Sequence, residues 1–146
     1  MTVVATANPR ISNLVKSESD QGRDGVTREE VVINVAAETT LTLGSVLGKI
    51  TASGKYIPSD PAAGDGSEAA GAVFLFGPDA LGLLESTSVT IPATTDTTVI
   101  VLKPKTGAYA VVAEEALVFD VAHDAAETTA ALAELAAAGI HTKTQA

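Results

Sequence analysis

The residues best able to do chemistry in this chain of 146 are scattered, and each set falls short of a reacting constellation. Gly44-Ser45-Val46-Leu47-Gly48-Lys49-Ile50 comes nearest to a phosphate loop. Its glycines stand one residue too close, and Ile50 occupies the place where Ser or Thr would hold magnesium. The run reads instead as a strand. His123 and His141 are the only histidines and are too far apart to share a helical turn, so they make neither a metal pair nor a general-base pair. Asp20, Asp24, Asp60 and Asp65 sit in or near Gly-containing loops. They lack the alternating spacing and terminal Glu of a calcium loop, and Asp is common in turns because it caps its own backbone. Glu114 and Glu115 are adjacent, so on a strand they would face opposite ways, a poor arrangement for acid–base work. No Gly-x-Ser-x-Gly elbow is present to support a serine nucleophile. Lys49 and Lys55 flank a Ser-Gly turn where a biotin or lipoate lysine would sit, but Lys49 is mid-strand and no flanking Met or acidic residue marks a carrier site. The absence of cysteine excludes disulfides and thiolate metal sites. The sequence therefore predicts no catalytic residue, no metal and no cofactor.

The elements that would have to position such groups are short strands. Val31, Ile33 and Val35 alternate with their neighbours, and Leu41 and Leu43 continue the alternation. Val46–Thr51, Ser53-Gly54 and Lys55–Pro58 read as strand, turn and strand. The loop Ser59–Glu68 leads to a strand over Ala70–Phe76, where Gly71 suggests close approach by another backbone. Asp79–Glu85 reads as a helical turn or crossover. Ser88–Ile91, Thr97–Leu102 and Ala108–Ala113 read as strands, the last two pairing antiparallel across the turn Lys103–Gly107. Leu117–Val121 is a short, mostly apolar segment. Asp124 and Glu127 have the spacing of a capping box, and the Ala-rich segment after them predicts a helix over 124–139 with Gly139 just past its end. His141–Ala146 reads as a short tail. No repeat period is present, which argues against a solenoid.

Composition narrows the function classes. Hydrophobic residues make up 46% of the chain but aromatics only 3%, so the core must be built from Ala, Val, Leu and Ile. Such a core gains modest area per residue, and oligomerisation is a natural source of further burial. The net charge of −9, concentrated after residue 34, argues against nucleic acid and against an anionic membrane surface. The first residues lack the charged start and apolar run of a signal peptide, and no segment has the length to span a bilayer. Residues 1–30 differ from the rest: they mix polar and charged types, and Lys16–Gly25 carries no apolar side chain. They read as an extended arm that cannot bury enough surface to order alone, followed by a single domain over 31–146.

Together these features resemble the head decoration proteins of lambda-like tailed phages. The residues carrying the resemblance are Leu43–Lys49, Gly54–Pro58, Asp60–Ala63, Asp65–Glu68 and Ala70–Val73, with Glu115–Phe119 and Ala130–Ile140 similar to the family's terminal strand and helix. The resemblance covers Leu41–Ile140. Phe76–Leu102 matches it poorly, and Asp79–Glu85 reads there as an insertion. It implies an α+β fold: a small β-rich body of antiparallel strands, barrel-like or sandwich-like, with a C-terminal helix and an extended N-terminal arm. It implies a cement protein, not an enzyme, that binds the outside of the expanded capsid as homotrimers at three-fold and quasi-three-fold sites. There it would hold the shell against internal DNA pressure, with the major capsid protein as partner and no contact with nucleic acid or membrane.

On that reading the arm orders on docking and adds β-structure to the capsid protein, with a reach of up to roughly 90 Å when extended. Val3, Val4, Ile11, Leu14 and Val15 would make the apolar contact, Arg10 and Arg28 would pair with charges, and Ala70, Gly71 and Ala72 would lie at the trimer interface. The rival readings are another virion part, such as a tail or head-completion protein, and a small cytoplasmic carrier or hydrolase domain.

Overall fold

The computed structural model describes residues 11–18 and 26–144. In chain order the elements are α1 (Ile11–Leu14), β1 (Val15–Glu18), β2 (Arg28–Ile33), β3 (Thr39–Thr42), β4 (Val46–Lys49), β5 (Tyr56–Pro58), β6 (Ala70–Pro78), β7 (Leu84–Ser86), β8 (Ser88–Ile91), β9 (Thr97–Leu102), β10 (Ala110–Ala113), a 3₁₀ turn (Glu114–Ala116), α2 (Ala125–Ala137) and β11 (Ile140–Lys143).

Strands β4, β5, β2, β9 and β6 follow one another around a closed five-stranded barrel, because β6 pairs back onto β4. The long β2–β9 ladder runs antiparallel from Arg28↔Leu102 to Ile33↔Thr97. The β4–β5 hairpin turns where the Ser-Gly signal predicts it, with Lys49 opposite Tyr56 and Gly54 at φ +73°. The ladders are not all antiparallel: β5 joins β2 in parallel at Ile33↔Tyr56, and β10 joins β11 in parallel.

Alternation sorts the side chains into a double core. Val31, Ile33, Leu47, Tyr56, Ala72, Phe74, Val99 and Val101 form one buried cluster inside the barrel, closed off by Leu41 and Ile91 from the β3–β8 ribbon. Val46, Val73, Leu75 and Leu102 point the other way, into a second cluster with Leu14, Ala110, Val112, Ala131, Leu135 and Ile140. β6 and β9 are thus covered on both faces, which is why they read as continuous apolar runs.

The second layer is the sheet β1-β10-β11 with α2 packed against it. The capping box is present: Asp124 Oδ1 accepts from Glu127 N at 2.7 Å, and Glu127 Oε1 accepts from Asp124 N at 2.9 Å. After α2 the chain returns beside β10, with Ala110 opposite Ile140. A parallel pair needs such a crossover, and the helix supplies it. Residues 141–143, read from sequence as the start of the tail His141–Ala146, therefore belong to a strand with Ile140, which is fully buried. The expected pairing across Lys103–Gly107 is also corrected. Lys103 N and Lys105 N donate to the carbonyls of Thr27 and Val26, which carries the chain out of the barrel and into the other sheet. Leu117–Val121 forms no strand; Val118 makes a single bridge to Ser45.

Candidate functional site

Because the sequence points to surfaces and not to reacting groups, the site is built from what the body leaves outside and what it draws in. The boundary expected between residues 30 and 31 runs through β2, and the described part of the arm belongs to the body. Leu14 is 0% exposed and sits in the second core cluster, with Ile11 and Val15 packed beside it. β1 pairs antiparallel with β10 from Val15↔Val112 to Glu18↔Ala110. The polar stretch after Val15 misled the sequence reading, because β1 fills a sheet edge through backbone bonds that need no apolar side chains.

A charged clamp fixes this segment. Glu18 Oε1 accepts from Arg28 Nη2 at 2.6 Å, and Glu18 Oε2 accepts from Thr27 Oγ1 at 2.6 Å and Arg28 Nε at 3.1 Å. The Glu18 side chain is 7% exposed and that of Arg28 22%. Burial raises the Glu18 pKa, but the hydrogen bonds from Arg28 and Thr27 and the Arg28 charge outweigh it and hold the carboxyl below its usual range. Arg28 and Leu14, expected as capsid contacts, are thus engaged within the subunit. Val15 and Ile11 are partly covered, and Val3, Val4 and Arg10 lie outside the described residues.

An apolar groove of about 440 Å³ opens where the chain leaves α1, lined by Asn13, Leu14, Thr42, Leu43, Ala116 and Val118. The turn at Gly44 brings the Thr42–Leu43 and Ala116–Val118 sides of this lining together. Gly44 has φ +98°, and a Cβ there would overlap the Ala116 carbonyl oxygen, so only glycine lets the two segments meet. Val118 N donates to Gly44 O, and Val46 N donates to Val118 O, each at 2.9 Å.

Beyond β7, at the end away from the β6–β7 turn, Thr87 O accepts from Leu43 N at 2.8 Å. The β6–β7 turn itself is apolar. It presents Leu81, 85% exposed, and Leu83, 51% exposed. The Asp79 carboxylate accepts from the N–H groups of Leu81 and Leu83 at 2.8 and 3.0 Å. Asp79–Glu85 is neither a helical turn nor a crossover but the tip of this hairpin. Sequence reasoning missed its apolar display; the signal was leucine on both sides of Gly82.

The three residues expected at a trimer interface fall in different surroundings within the single subunit. Ala70 and Ala72 are buried, in different core clusters. Gly71 is partly exposed, and a Cβ there would meet nothing within 4 Å among the described residues, so none of them makes the expected close approach.

A polar concavity of about 470 Å³ includes Glu29, Glu30, Lys49, Lys55, Tyr56 and Lys103 in its lining. Two of its three lysines are engaged with carboxylates: Lys103 with Glu29 at 3.2 Å and Lys55 with Asp96 at 2.9 Å. Burial holds the Tyr56 hydroxyl protonated above its usual range, with Lys103 opposing. Lys55 and Lys103 are thus held in ion pairs. Gly48 and Lys49 lie on strand β4, with no phosphate cradle around them. His123 packs on Phe119 with ring centroids 4.6 Å apart and places Nδ1 2.7 Å from the Val121 carbonyl oxygen, a helix-entry role. Among the described residues no three His, Cys, Asp or Glu side chains gather as metal ligands, and no helix is long and apolar enough to cross a membrane.

Compared with known families, residues 4–101 match the model of the bacteriophage lambda head decoration protein D family. The matched stretch takes in the barrel and all but the last residue of β9, and includes residues 76–101, which the sequence reading set apart. It stops before β10, α2 and β11. No curated protein and no solved structure matches the chain.

Proposed function

We propose, on the premise that this chain belongs to the bacteriophage lambda head decoration protein D family, that it binds the outer face of the expanded phage capsid as a homotrimer and stabilises the shell against the pressure of packaged DNA. Members of that family are structural proteins of the phage head, so association with the capsid follows from membership; the trimer, the outer face and the stabilising role are our reading. The family match over residues 4–101 is the observation that carries it.

Because residues 11–18 pack on the body, the arm in this reading is the shorter segment before Ile11. The contact with the major capsid protein lies in the ten residues before Ile11, through Val3, Val4 and Arg10. Extended, those ten residues span at most roughly 35 Å, enough to reach the neighbouring subunit but far less than a thirty-residue arm. The Leu14 anchor and the Glu18–Arg28 clamp hold the root of this segment on the body, so a load on the arm passes into the barrel. Strand pairing with the shell and burial of the valines must exceed the entropy lost on ordering. Copies on one trimer act together, and effective concentration turns a weak single contact into a tight one. A ligand that binds only the expanded shell stabilises that state by mass action. The trimers sit at three-fold and quasi-three-fold positions, where three arms meet three equivalent acceptors.

The test is to add purified protein to expanded heads that lack it. Binding in copy number comparable to the capsid subunit, with a raised temperature of head disruption, supports the reading. A few copies per head would instead mark a completion protein, and no binding would refute decoration.

A further inference from the structure

We propose that, away from the shell, the chain's own first residues fold back and seat Val3 and Val4 in the apolar groove lined by Leu14, Leu43, Ala116 and Val118, as a latch that competes with capsid docking. The latch itself needs no capsid; only its consequence for docking rests on the reading above.

The point at which these residues join the body selects them as the occupant. Ile11 opens α1, and Asn13 and Leu14 of that same helix form one side of the groove lining. Residues 1–10 thus begin at the edge of the groove, and residues 5–10 are the whole tether between Val4 and α1. Extended, such a tether reaches at most roughly 20 Å, ample for a return to the groove. It holds the two valines at an effective concentration in the millimolar range, as short flexible linkers do. A free apolar partner of the same chemistry at micromolar concentration loses to a tethered one. The groove is about 440 Å³, within the range of roughly 300–1,000 Å³ typical of clefts that bury a compact apolar group.

Sequence and charge fit that path. Asn8-Pro9 is a turn-initiating pair between the valines and α1, where a returning chain must reverse. Residues 1–10 carry Arg10 and no carboxylate. Glu114, Glu115 and Asp120 flank the Ala116–Val118 side of the groove, so segment and body are complementary in charge. The groove is already fixed by the buried Leu14 and by the Gly44–Val118 hydrogen bond, so little of it has to order on closing. The burial of two valines is set against the entropy of ordering the tether, and the two terms are of similar size. The latch is therefore weak, closed in about half of the molecules on that near balance. Val3 and Val4 cannot lie in the groove and on the capsid at once, so docking draws on the open state and its apparent affinity is lowered by the closed fraction.

The chain has no cysteine, so an introduced pair of thiols is the sole pair and reports the latch directly. Ala5→Cys/Val118→Cys puts one thiol beside the valines and one in the groove, with Ala5→Cys/Thr42→Cys as a second groove pair if the first does not fold. Ala5→Cys/Ser53→Cys is the control, since Ser53 is exposed on the β4–β5 turn and outside the groove lining. Far-UV circular dichroism checks that each folds. Under mild oxidation of the full chain at low micromolar concentration, followed by intact mass and non-reducing gels, the groove pair should close within one chain at least tenfold faster than the control. Adding Val3→Ser/Val4→Ser should bring the groove pair down to the control rate, because a mere tether is indifferent to the valines. The oxidised groove pair should bind expanded heads at least tenfold more weakly than the same chain reduced. Equal rates for groove and control pairs, a groove rate unchanged by the serines, or an oxidised chain that binds heads as the reduced one does would overturn the latch. So would cross-links that join two chains, which would give the groove to a second copy. A chain that latches as proposed but never binds expanded heads when reduced would fail the decoration reading and leave the latch standing.

Discussion

Removing residues 1–10 and removing residues 1–18 should have sharply different consequences. The shorter deletion takes away nothing from the described core, so its cost should stay within about 0.5 kcal/mol, as for surface changes. The longer one removes Leu14, which is 0% exposed, and with it the β1–β10 ladder and the Glu18 carboxylate that Arg28 and Thr27 hold. Loss of a buried leucine side chain alone costs about 2–5 kcal/mol. The clamp adds roughly 1 kcal/mol, discounted because the Arg28 side chain keeps 22% of its surface in water. A total of about 4 kcal/mol is a large share of the roughly 5–15 kcal/mol that holds a domain together. In a chain of this size it should lower the melting temperature by about 8–16 °C. Thermal unfolding followed by far-UV circular dichroism is the assay, since the chain has no tryptophan. Equal melting temperatures for the two deletions would refute the placement of residues 11–18 in the body.

Two further outcomes follow from the same structure. The Glu18 pKa is depressed in the folded state, so its contribution is present above the ordinary carboxylate value of 4.5 and is lost as pH falls through the folded value. Glu18→Gln should therefore flatten the acid limb of the stability curve below about pH 4.5, measured by urea unfolding at stepped pH; an unchanged limb would contradict the clamp. Gly44→Ala should destabilise by about 2 kcal/mol or more, from positive φ and overlap with Ala116 O, whereas Gly71→Ala should be near neutral in the isolated subunit. Denaturant midpoints for the two variants check the contrast.

The β-rich body and its helix were legible because they rest on local signals. Alternation at Val31–Val35, the Ser53-Gly54 turn and the Asp124/Glu127 box each state their structure within a few residues. What sequence could not show was long-range. β9 and β10 flank an obvious turn, yet they part because residues 26 and 27 capture the backbone of Lys103 and Lys105. Ile140–Lys143 has one large apolar residue and becomes a strand only because α2 returns it to β10. The polar stretch after Val15 conceals an edge strand, which pairs with β10 through its backbone. Ala70 and Ala72 look like an interface in sequence, since small residues permit close approach, but here that approach is made by the subunit's own core. The exposed leucines of the β6–β7 turn depend on a backbone turn that the Asp79 carboxylate fixes through the Leu81 and Leu83 N–H groups.

The central claim is that a clamped body docks on a mature shell through the residues before Ile11. Its most direct test compares the full chain and the chain lacking residues 1–10 for binding to purified heads before and after expansion. The account predicts that the full chain binds expanded heads only and that the shortened chain, though folded, binds neither. Saturation of expanded heads by the shortened chain at full-chain affinity would contradict it.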